Sequence, residues 1–140
     1  MSTAQSLTAH EVFHRLVGGV AGLAAGDMSQ VERLAALYAE ETYVEHPASP
    51  HEMPPLTSRA DLRRHFTEIA QWIQQIDNYR AERVTIHDTT DPEVIVAEFV
   101  YTGGGQDGAF DIPCVFIMRV RNGEIVSSRD YFGPRIPVSG

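Results

Sequence analysis

Two short stretches of the 140-residue chain put ionisable side chains among apolar ones. Asp130 stands in Arg129-Asp130-Tyr131-Phe132, near the end of an apolar C-terminal third. His46 stands in Tyr43-Val44-Glu45-His46-Pro47. A carboxylate among aromatic rings is costly to bury unless something pairs with it or uses it. A histidine, with an ordinary pKa of about 6.5, is a base or acid near neutral pH. A carboxyl in an apolar pocket has its pKa raised and can give up a proton. The two therefore make a candidate proton-shuttling pair. In one arrangement Asp130 orients and charges His46; in the other the two serve opposite ends of a substrate. Tyr43 and Tyr131 offer hydroxyl donors, Trp72 a cavity wall, and Glu98 a second acid if its face of the strand points inward. Glu45, one residue from His46, is expected to face the other way. Such a set fits proton abstraction next to a carbonyl, as in isomerisation, aldol-type ring closure or dehydration, and requires no metal or organic cofactor.

Composition narrows the classes. The 11 basic residues are all arginine and the net charge is −8. Without lysine there is no side-chain amine for Schiff-base chemistry and no lysine-type phosphate loop. The acidic balance argues against a nucleic-acid partner. No apolar run approaches the length of a membrane span, and the first 30 residues lack the pattern of a signal peptide, so a cytoplasmic location is expected. The single cysteine, Cys114, allows no internal disulfide and lies in an apolar run that reads as core. His10, His14, His51, His65 and His87 are scattered and lack a zinc-protease spacing, so no metal site is expected.

The positioning elements follow from periodicity. Thr8 with Glu11 reads as a capping box for a helix carrying Val12, Phe13, Leu16, Val17, Val20 and Leu23, ended at Gly26-Asp27. Ser29 with Glu32 repeats the signal for a short helix through Val31, Leu34, Ala35 and Tyr38. A strand over Thr42 to His46 leads into a Pro-rich loop, 47–57. Ser58 with Asp61 opens a third helix with an apolar face of Leu62, Phe66, Ile69, Ile73 and Ile76. From Asn78 the period changes to two. Four strands follow as a meander, with a loose loop at Gly103–Gly108 and a tight turn at Asn122-Gly123. An α+β chain of this order can curl its sheet around the third helix and leave a cavity at the open end.

This order of elements resembles the nuclear transport factor 2-like cone fold. The local marks are Ala25-Gly26-Asp27, Leu37-Tyr38-Ala39-Glu40-Glu41, Val44-Glu45-His46-Pro47 and Arg129-Asp130-Tyr131-Phe132. The likeness runs over roughly residues 8 to 134 as one domain, with a flexible start at 1–7 and a tail at 135–140. It implies a cone-shaped curved mixed sheet wrapped around N-terminal helices. The superfamily includes ketosteroid isomerases, limonene epoxide hydrolase and the SnoaL-like polyketide cyclases. His46 stands where the ketosteroid isomerases place a general-base aspartate, while Val115 and Gly19 stand where they place oxyanion donors. A steroid-type dienolate would therefore lack its stabiliser. Asp130 matches a catalytic aspartate of limonene epoxide hydrolase and Tyr43 its water-positioning tyrosine. For that enzyme's arginine–aspartate pair only Glu98 is on offer. In the SnoaL-like cyclases the last-strand acid acts as acid/base, a role that falls to Asp130. The resemblance implies a small apolar organic ligand and a homodimer formed through the sheet face. It also leaves open a non-catalytic binding or assembly domain of the same fold.

Overall fold

The computed structural model describes residues 6–49 and 51–138. Pro50 of the expected loop lies outside them, as do residues 1–5 and 139–140.

The Thr8–Glu11 capping box is present on both sides, and it opens α1 (Ala9–Ala24). That helix closes at Gly26, whose φ of +103° suits glycine, with the Gly26 and Asp27 amides donating to the Leu23 and Gly22 carbonyls. The expected second box does not form. Ser29 makes no side-chain cap to α2 (Gln30–Ala35). Asp27, two residues earlier, accepts from the Ser29 amide and hydroxyl instead, and from the Gln30 side chain. Helix α2 also stops short of Tyr38, which begins β1 (Tyr38–Glu45). The loop expected over 47–57 gives way early to β2 (Leu56–Ser58), after which Ser58 caps α3 (Arg59–Ile73) by accepting from the Asp61 amide.

The remaining chain forms β3 (Asp77–Asp88), β4 (Val94–Gly104), β5 (Phe110–Arg121), β6 (Glu124–Phe132) and β7 (Ile136–Pro137). Asn122 and Gly123 both have positive φ, the geometry of the tight β5–β6 turn. The sheet order is β2-β1-β6-β5-β4-β3, with β7 pairing to the start of β5. All neighbours are antiparallel except β1 and β6, which run parallel. The residues that end the chain thus do more than trail away: Ile136 and Pro137 lie opposite Asp111 and Phe110.

The curved sheet wraps α1 as well as α3. Helix α1 packs on β3, β4 and β5, and α3 on β1, β2 and α2. Alternation explains which face is concave. On β5, Ile112, Cys114, Phe116 and Met118 are buried, whereas Pro113, Val115 and Ile117 between them are partly exposed. Phe13 of α1 is fully buried and meets Phe99 and Phe116 edge-on at 5.2 and 6.4 Å between ring centres. Arg59 ties the first turn of α3 to two strands: it donates to the Tyr38 carbonyl at 2.7 Å and pairs with Glu124. No described helix is long and apolar enough to cross a membrane.

Candidate active site

The parallel pairing of β1 with β6 builds the site. Val44 lies opposite Ser128 and Glu45 opposite Arg129, so the next residues, His46 and Asp130, reach the same end of the sheet. The two-residue period puts Val44, His46, Ser128 and Asp130 on the concave face. Glu45 and Arg129 point outward, 3.9 Å apart.

His46 Nε2 and Asp130 Oδ2 are 4.0 Å apart, and each side chain is only 8% exposed. That gap is too long for a direct hydrogen bond. An oxygen atom seated between them would meet both at about 2.8 Å. Ser128 Oγ donates to the other Asp130 oxygen at 2.5 Å. Burial pushes the Asp130 carboxyl up to about 7, with the Ser128 bond pulling weakly the other way. Burial lowers the His46 pKa. His46 Nδ1 is buried without a partner. An imidazolium would carry a proton there with no acceptor, a second reason for the ring to stay neutral.

The His46 ring sits between His65, at 5.5 Å, and Phe132, at 6.1 Å. His65 is brought down to about 4, first by burial and then by His46. Tyr38 and Tyr101 are buried nearby, their phenols raised well above the usual range by burial and then by neighbours that include Asp130. All of these line one cavity of about 410 Å³, otherwise walled by apolar groups such as Leu62, Phe66, Ile112 and Phe116. Asp130 is its only carboxylate among the described residues.

Of the residues singled out from sequence, the structure brings His46, Asp130 and Trp72 to this cavity. Trp72 stands at its edge, 48% exposed. The others are elsewhere. Tyr43 is 47% exposed and does not line the cavity, because it alternates with the inward Thr42 and Val44. Glu98, Val115 and Tyr131 share a shallow depression on the outer face of the sheet, and Glu98 bonds there to His87 at 2.5 Å. The inward placement considered for Glu98 therefore does not hold: on β4 the buried set is Ile95, Ala97, Phe99 and Tyr101, the opposite phase.

Sequence reasoning passed over His65, Tyr38, Tyr101, Ser128 and Arg135 as parts of the site. His65 had a signal, since it falls three residues after Leu62 and four before Ile69 on the apolar face of α3. Ser128 had one too, two residues before Asp130 on one strand face. Arg135 had none, because its place depends on β7.

Comparison with known proteins agrees with this architecture. The SnoaL-like domain profile matches residues 18–128. No protein of curated function matches the chain. Among solved structures it is similar to a candidate isomerase of Bacillus subtilis, at 22% identity over 90% of this chain and 86% of that one, TM-score 0.71. A candidate polyketide cyclase of Pseudomonas putida follows at 16% identity, 90% and 92% coverage and TM-score 0.63. The epoxide hydrolase/cyclase-like enzyme SalBIII of pyran ring formation in salinomycin is similar at 14% identity, 89% and 92% coverage and TM-score 0.61. At these identities the structural likeness speaks for the fold. With the profile spanning most of the sequence, the chain belongs to the SnoaL-like domain family of the nuclear transport factor 2-like superfamily.

Proposed function

We propose that the protein is a cofactor-independent acid/base enzyme acting on a small, largely apolar carbonyl compound. The observation that carries this reading is the convergence of buried His46 and Asp130 on one apolar cavity, with the Asp130 pKa near neutrality. At pH 7 Asp130 is present in both protonation states, which suits a group that must take a proton and return it. Asp130 as carboxylate removes a proton from the carbon next to the carbonyl. Neutral His46 donates an Nε2 hydrogen bond to the carbonyl oxygen as charge builds there. The protonated Asp130 then returns the proton to another carbon for isomerisation, or to a departing hydroxyl for dehydration. In ring closure the carbanion attacks a second carbonyl, and Asp130 protonates the new alkoxide. A limonene-type epoxide opening fits less well, since Glu98 is on the outer face and no second carboxylate among the described residues lines the cavity.

The test follows hydrogen–deuterium exchange next to the carbonyl of 2-tetralone in D₂O by NMR. Wild-type protein should accelerate exchange over buffer, and Asp130→Asn should reduce that acceleration about 10²- to 10⁴-fold. Glu98→Gln should match wild type. Equal exchange by Asp130→Asn and wild type would sink the proposal. Binding of the ketone without any acceleration would favour the non-catalytic reading.

A further inference from the structure

The cavity has a second end, remote from the acid/base pair. Arg135 lines it, with its guanidinium carbon 4.4 Å from the Phe110 ring centre and 5.6 Å from that of Trp72. The chain pins this residue on both sides. The Gly133 amide donates to the Pro113 carbonyl at 2.7 Å before it, and Ile136 pairs with Asp111 after it. Gly133 eases the approach: a Cβ there would lie 3.2–3.4 Å from Pro113 atoms, a tight contact that would push Pro113 back.

Among the described residues Arg135 is also free of an ion pair. Eight of the 11 arginines face a carboxylate partner within 4 Å: Arg59, Arg63, Arg64, Arg80, Arg83, Arg119, Arg121 and Arg129. Arg15 and Arg33 make no such pair among the described residues but act on Glu11 and Asp27 through space. Arg135 has no carboxylate partner among the described residues, in a chain with a net charge of −8. Aromatic faces hold a guanidinium flat and leave its N–H edge available, the geometry that grips a carboxylate with two hydrogen bonds.

Aromatic rings connect the two ends. Phe132 lies beside His46, Tyr101 beside Phe132 at 6.4 Å and 10° between planes, and Tyr79 beside Tyr101 at 4.8 Å and 14°. Tyr79 then meets Trp72 edge-on at 6.2 Å. The electrostatics follow the same order. Tyr101, raised mainly by burial, also feels Asp130, whereas Tyr79, raised by burial and then by Cys114, is pulled back by Arg135.

We propose that Arg135 is the specificity-determining anchor of the cavity and that the ligand class is an aromatic or conjugated carboxylate, held by its carboxylate at Arg135 with its ring system along Phe132, Tyr101 and Tyr79. This rests on the acid/base reading for what happens at the far end, but the binding claim has its own readout. Calorimetric titration of the full chain compares 2-naphthoate with uncharged 2-naphthamide. Wild type should bind the naphthoate about tenfold more tightly. Arg135→Gln should bind the two equally with its naphthamide affinity unchanged. Arg135→Lys and Arg15→Gln should keep a preference for the anion. No preference in wild type, a preference that survives in Arg135→Gln, or failure of wild type to bind either compound would overturn the inference. Equal affinity for the two probes with 2-tetralone exchange intact would remove Arg135 as anchor and leave the acid/base reading standing. Lost exchange with the naphthoate preference intact would do the reverse.

Discussion

Asp130→Asn has a consequence for stability that needs no substrate. The carboxyl has an ordinary value of 3.8 and is pushed up to about 7 in the fold. A rise of roughly three units corresponds to about 4 kcal/mol between the protonation states. The sign follows from proton binding. Between pH 4 and 7 the folded chain holds a proton on Asp130 that the unfolded chain has lost. That contribution is therefore fully present below about pH 4 and is lost as pH rises through 7. Asparagine keeps the oxygen that accepts from Ser128 and cannot ionise. Urea unfolding of both proteins from pH 4.5 to 8.5 should show wild type losing about 3 kcal/mol relative to Asp130→Asn, most of it between pH 5 and 7.5, the rest of the difference having gone below pH 4.5. Parallel stability profiles for the two proteins would refute the reasoning, since they would mean that Asp130 ionises in the fold as easily as in the unfolded chain.

Phe13→Ala removes a fully buried ring that touches Phe99 and Phe116, and should cost about 3–5 kcal/mol, read as a lower urea midpoint. The outer sheet face, with Val115, Ile117 and Tyr131 only partly covered, is expected to pair two copies. Light scattering after size exclusion should give twice the chain mass for wild type and one chain mass for Val115→Arg; a wild-type monomer would remove that expectation.

Much of the architecture was legible because single local rules decide it. Thr8 and Glu11 cap one helix, and Asn122-Gly123 can hardly be other than a tight turn. His46 and Asp130 stood out as ionisable residues in apolar company. What the sequence could not reveal depended on choices between near-equal alternatives. On β4 both phases are apolar, Ile95, Ala97 and Phe99 against Val94, Val96 and Val100, so the alternation fixed a strand without fixing which side Glu98 takes. Tyr38 continues the spacing of Val31, Leu34 and Ala35, but strand pairing with Ile125 claims it for β1. Arg135 looked like tail, since two residues of β7 pairing carry no periodic signal.

The parallel contact of β1 with β6 decides when the site exists during folding. The hairpins β3–β4, β4–β5 and β5–β6 join near neighbours in the chain. Docking β1 on β6 closes a far longer loop: the Thr42 hydroxyl donates to the Ile125 carbonyl 83 residues away. Closing such a loop is entropically unfavourable, and contacts of this range form late. A chain with its hairpins formed and β1 undocked has native strands and most of its sheet, yet no His46 beside Asp130. The meeting of His46 with Asp130 is thus a property of the finished fold, tied to the contact that brings the two halves of the chain together.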